Sequence, residues 1–198
     1  MKQSKKPMVK LKNVSVAELE RTFDKCLIYF YAYPTRKIGL NELSKAINSS
    51  KTATKHIIES LISFEFLKRD IIGKAWLLYA NQQHPYFITK KIAFNLSTIY
   101  ESGIIEAVHK EIPSSRTIIL FGSYRWGLDI DESDIDIAVE VIGNQELQVI
   151  KLGVIEQLGY RKNVPVNLHI FSRNHVDSNL FANIANGIVL EGFLEVHV

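Results

Sequence analysis
The residues with the most chemical potential in this chain are Asp134 and Asp136, two carboxylates two positions apart at the head of an apolar run, IDIAVEV at 135–141. The run reads as a buried strand, and side chains at i and i+2 of a strand point to one face. Two ionised carboxylates aimed at one point repel each other and are costly to desolvate. A divalent cation removes that conflict. Oxygen-only donors suit Mg²⁺, which is usually held by one or two carboxylates plus substrate phosphates. Upstream, TIILF at 117–121 is a second β-branched strand, and it ends in Gly122-Ser123. Glycine lets a backbone approach a phosphate closely. Free amides of a turn or helix start, with the Ser hydroxyl, can hold phosphate oxygens. The spacing therefore describes a site for a metal and a nucleoside triphosphate.

The whole pattern is Gly122-Ser123, three residues, Gly127, five residues, then Ser133-Asp134-Ile135-Asp136 and an apolar strand. It resembles the signature of the DNA polymerase beta-like nucleotidyltransferase superfamily, and by pattern its minimal branch, related to kanamycin nucleotidyltransferase. The resemblance covers 113–198. It implies a mixed sheet with flanking helices and Mg²⁺-dependent transfer of a nucleoside monophosphate from an NTP, with ATP the first choice, to a hydroxyl or similar acceptor. Two metal ions support the in-line displacement. Asp134 and Asp136 become the catalytic metal ligands, and Gly122, Ser123, Arg125 and Ser133 the nucleotide-binding residues. Tyr124 and Trp126 would stack or pack beside them.

The family also carries a third carboxylate on a later strand. The matching strand is VPVNLHIF at 164–171, expected after a helix at 145–158, and the acid's position holds Asn167. An amide can ligate a metal through its carbonyl but cannot take a proton as a carboxylate can. His169 shares the strand face of Asn167 and is an alternative base, although packing is the commoner role for such a His. Glu140 is expected as a solvated strand-end residue, and Asp129, Asp131 and Glu132 as a solvated loop. Asp177 would open a closing helix at 175–186, followed by a last strand region.

The elements that must position this site lie in the second half of the chain, and the first half has a different character. Residues 1–112 carry 18 Lys and Arg against 10 acids, a balance of +8; residues 113–198 carry 6 against 11, a balance of −5. Such asymmetry suggests two domains with different partners. Ser15-Val-Ala-Glu18 is a capping-box pattern at a helix start, with Val16, Leu19, Phe23, Leu27 and Phe30 at helical spacing behind it and Pro34 beyond its end. LNELSKAIN at 40–48 is a short amphipathic helix. KTATKHIIESLISFEF at 51–66 is a third helix, with Ser50 as N-cap and Ile57, Ile58, Leu61, Ile62 and Phe64 inward. Residues 66–70 and 75–80 read as a hairpin about 71–74.

Helix, helix, turn, helix, hairpin resembles a winged helix-turn-helix over 14–81. That resemblance implies binding of double-stranded DNA, with the third helix entering the major groove by its N-terminal end and the wing on the backbone. Ser50, Lys51, Thr52, Thr54 and Lys55 would form the helix contacts, and Lys68, Arg69 and Lys74 the wing contacts. Residues 82–112 read as a helical linker, in which Gly103 breaks or kinks the helix and Ile92, Leu96, Ile99, Ile104 and Val108 can pack on either side. The fold class is then α+β: a winged helix, a linker and a nucleotidyltransferase domain.

The longest apolar run, 26–33, is too short to span a bilayer, and the basic N-terminus has no apolar h-region of a secretory signal. A single cysteine, Cys26, excludes an intramolecular disulfide and fits a reducing, cytoplasmic setting; its place on an apolar stripe makes it core. Three functions remain. One is a nucleotidyltransferase. Another is a DNA-binding regulator whose second domain has lost its chemistry, which allows a homodimer on two half-sites. The last is an antitoxin-type protein that binds a helical, toxin-like partner.

Overall fold
The structure, a computed structural model, describes residues 9–14 and 21–195. The capping box at 15–18, with Val16 and Leu19, lies outside them.

A two-residue strand β1 (Val9–Lys10) precedes helix α1 (Thr22–Ala32), which stops just before Pro34. Then come β2 (Ile38–Gly39), α2 (Leu40–Ala46) and α3 (Lys51–Ser63). The Ser50 hydroxyl accepts from the Ala53 amide at 3.2 Å, the expected N-cap of α3. The hairpin is β3 (Leu67–Ile72) and β4 (Ala75–Ala80), turning at Gly73-Lys74. With β2 it forms an antiparallel three-stranded sheet in the order β2-β4-β3. Cys26, Phe30, Leu43, Ile58, Leu61 and Leu78 form the core beneath. Phe64, expected inward, is 64% exposed because α3 has already ended at Ser63.

The 82–112 segment forms two helices, α4 (Pro85–Glu101) and α5 (Ile104–Glu111), split at Gly103, whose φ of 74° is left-handed and costs glycine little. Helix α4 joins both cores. Phe87 enters the N-terminal one, while Ile99, with Ile104 and Val108 of α5, packs on the large sheet.

That sheet contains β5 (Ser115–Phe121), β6 (Ile135–Val141), β7 (Gln148–Leu158), β8 (Arg161–Phe171) and β9 (Ile188–Gly192) in the order β1-β7-β8-β6-β5-β9. It is mixed: β6 runs parallel to β8 and antiparallel to β5, and β7 and β8 form a long antiparallel hairpin. Between β5 and β6 lies a five-residue helix, α6 (Gly122–Trp126). Helix α7 (Ser178–Ala185) follows β8 and is capped by the Asp177 carboxylate, as expected. Its Ile184 packs on Ile119, Phe121, Ala138 and Phe171 of the second sheet face.

The helix expected at 145–158 is instead strand β7. Leu152, Ile155 and Leu158 are buried at three-residue spacing, which imitates a helix. A register shift between Lys151 and Gly153 lets an extended chain bury both Leu152 and Ile155. β-branched Val149, Ile150, Val154 and Ile155 suit the pleat, and Gly153 lies so close to β1 that an added Cβ would stand 2.6 Å from the Val9 carbonyl oxygen.

Candidate nucleotide site
The register brings the chemical residues together. Phe121, the last residue of β5, pairs with Asp136 of β6, and Asp136 pairs in parallel with Asn167 of β8. At the end of β5 the chain turns through Gly122, with φ 71°, into α6. A Cβ on Gly122 would stand 2.9 Å from Asp136 Oδ2. The left-handed backbone angle calls for glycine, and the turn lies directly against the carboxylate. Asp134, Asp136 and Ser123 are partly exposed, so they remain open to a ligand.

Asn167 stands at the position expected for the third acid. Its Nδ2 donates to Asp134 Oδ2 at 3.0 Å, and His169 Nε2 lies 3.2 Å from Asp136 Oδ1. The His169 ring meets Phe121 edge-on, with centroids 4.9 Å apart. Among the described residues, no group of three or more His, Cys, Asp and Glu is placed to hold a metal ion. The donor set is two carboxylates and an amide. It fits a single hard cation that draws its remaining ligands from water and substrate phosphates, and it lacks the third charge of a site closed by acids.

The other expected nucleotide contacts are committed to the protein. Ser133 Oγ accepts from the Ile130 amide at 2.9 Å. Arg125 Nε donates to the Asn186 carbonyl at 2.8 Å, and its guanidinium lies 3.9 Å from the Trp126 ring centroid. Tyr124 is buried and packs, its hydroxyl accepting from Arg161.

Two expectations for the acids are corrected. Glu140 is buried, not solvated: Arg173 Nε donates to it at 3.0 Å and the Thr117 hydroxyl at 3.3 Å. Asp129 is 3% exposed and is held by α4, with Lys91 Nζ 3.2 Å from Oδ2 and Asn95 Nδ2 donating to Oδ1 at 2.7 Å. Lys91 itself is 1% exposed; burial lowers its pKa, and Asp129 opposes that shift. Asp131 accepts from Arg36 Nε at 2.9 Å. Arg161 of β8 donates to the carbonyls of Asp131 and Ser133. Lys91, Asn95, Arg161 and Arg36 were not expected from sequence. A signal existed for the first two: the buried stripe of α4 reads Phe87, Lys91, Asn95, Thr98, Ile99, with polar residues on an inward face.

On the N-terminal half, Lys51, Thr52 and Lys55 of α3 and Lys68, Arg69 and Lys74 of the hairpin are exposed. Lys51, Lys55, Lys74 and Trp76 line an open groove of about 610 Å³ between α2, α3 and the hairpin. Arg69 and Lys55 lie over the Trp76 ring, 4.3 and 5.5 Å from its centroid. Thr54, expected as a contact, is fully buried and donates to the Ser50 carbonyl at 2.9 Å. It falls one helical position inside the exposed face. Ser50 is used as the cap.

The family model of the nucleotidyltransferase domain matches residues 101–190. The span contains α5, all of β5 to β8, and the Gly122, Asp134, Asp136 and Asn167 cluster, and it supports nucleotidyl transfer at the level of the superfamily. No curated protein matches the chain.

Proposed function
We propose that this protein binds a Mg-nucleoside triphosphate at Asp134, Asp136 and the Gly122-Ser123 turn and transfers a nucleoside monophosphate to an acceptor. The observation that carries the reading is the close approach of Gly122 to Asp136. It sets the turn for the phosphates against the carboxylates for the cation. Mg²⁺ bound there would neutralise phosphate charge and polarise the group transferred. Asp134 and Asp136 hold the cation, and Asn167 orients Asp134 by its hydrogen bond. Asn167 cannot accept the acceptor's proton, so the chain's own chemistry on that side is weaker than an acid would supply.

Label transfer from α-phosphate-labelled NTPs, with Mg²⁺, to cellular RNA and protein tests this. The expected result is transfer by the wild type that disappears in Asp136→Asn. Silence from wild type with transfer by Asn167→Asp would overturn the activity and leave a nucleotide-binding domain.

A second reading rests on the other half. The order α1, β2, α2, α3, β3, β4 supports a winged helix, and its exposed Lys51, Lys55, Lys68, Arg69 and Lys74 have the chemistry of a double-stranded DNA contact. In that reading the protein is a DNA-binding regulator, and Asn167 marks the loss of catalysis.

A further inference from the structure
Asp134 is placed by the loop that precedes it, and residues 127–134 form neither helix nor strand. The loop also carries Asp129, Asp131 and Glu132, so Asp134 sits in a segment that repels itself, with Asp136 just beyond it in β6. Besides the Asn95 amide and the Ser133 hydroxyl, three cations hold the loop, from α4, β8 and the α1–β2 connection.

Lys91 of α4 takes the Asp129 side chain and carbonyl in the buried interior. Arg161 of β8 takes the Asp131 and Ser133 carbonyls, the second immediately before Asp134. Arg36, between α1 and β2, takes the Asp131 carboxylate. Arg36 is itself preset: its guanidinium lies 4.4 Å from the Tyr33 ring centroid, and the Tyr33 hydroxyl donates at 2.6 Å to the Tyr160 carbonyl, in the β7–β8 turn. Lys91 and Arg36 both lie outside the span matched by the nucleotidyltransferase domain.

We infer that Arg36 and Lys91 are positioning residues for the nucleotide site: they hold the 127–134 loop and so set Asp134, which makes Mg-NTP affinity depend on the N-terminal half of the chain. This rests on the nucleotide-site reading above. Lys91 works from the core, so its removal also disturbs folding. Arg36 works from the surface, with more than half of its side chain exposed. It can be changed without disturbing the core, and the decisive test is made there.

Mg-dependent binding of each of the four NTPs is measured by calorimetry, alongside Tm, for wild type, Arg36→Glu, Asp131→Arg and the double variant. Lys37→Glu is the control. It breaks the neighbouring exposed Lys37–Asp70 pair at 2.7 Å, which does not touch the loop. Arg36→Glu and Asp131→Arg should each weaken binding about two- to fivefold or more, the scale of a partly exposed ion pair, with Tm nearly unchanged. The double variant should recover most of the loss, and the control should bind as wild type. Wild-type affinity in both single variants, or no recovery in the double, overturns the positioning role while leaving the nucleotide site intact. If the wild type binds no NTP, the nucleotide-site reading fails, and this inference falls with it.

Discussion

Two regions of the molecule, the acidic loop and the face of α3 and the hairpin, use their cations differently. Around the acidic loop, Lys91 and Arg161 are buried and Arg36 is exposed, and each is held by acceptors of the protein itself. On α3 and the hairpin, Lys51, Lys68, Arg69 and Lys74 stand in solvent, steadied at most by the Trp76 ring. A formal charge count treats these residues alike. Partners separate them: a cation already held by the protein's own acceptors sets geometry, whether buried like Lys91 or exposed like Arg36, and one left in solvent is free to meet a phosphate. Net charge therefore says little about which half binds an anion.

The largest effect that would break this comparison is at the carboxylates. Asp136→Asn should abolish measurable Mg-NTP binding in calorimetry, because it removes one of the two charges proposed to hold the cation; unchanged affinity would refute the site. Next is Lys91→Met, which leaves the Asp129 carboxylate buried without its cation. Loss of one partner from a buried pair costs about 3–5 kcal/mol, so Tm should fall by roughly 6–20 °C. A shift within a degree or two would mean that Lys91 does not hold the loop.

Gly122→Ala adds a Cβ at 2.9 Å from Asp136 Oδ2 in a left-handed conformation. Strain of about 1–2 kcal/mol should appear in thermal melts, together with nucleotide affinity reduced by more than the melt alone accounts for. On the other half, Lys51→Ala with Lys55→Ala should weaken double-stranded DNA binding and lower its log–log salt slope by about 2. No DNA affinity of the wild type at low salt would assign that face another role. The smallest effect is at Cys26, fully buried, whose thiol burial pushes up to about 12. Thiolate is the reactive form, so alkylation at pH 8 should be undetectable in the folded protein and rapid in denaturant.

The placement of the candidate site's central residues was legible because its signals are local. Gly122, Asp134, Asp136 and Asn167 fall where a turn, a two-residue strand period and a second strand would set them, and Ser50 and Asp177 cap their helices as their types suggest. The misses have two causes. Strand β7 looked helical since a register shift offset its buried residues by three. Thr54 and Glu140 looked exposed since their types usually are, yet each has a partner inside the fold.

By itself, then, the sequence determined which residues face one another along a single strand, where turns need glycine, and where α3 and α7 start. These depend on backbone periods and caps only a few residues long. The tertiary structure alone decided how the five acids from 129 to 136 divide their work. Asp134 and Asp136 are left open to a ligand, while Asp129 and Asp131 are taken by Lys91 and Arg36, 38 and 95 positions away. No period connects those positions. What joins them is the cost of leaving a carboxylate buried or crowded without a counter-charge, and only the folded chain can bring one to it.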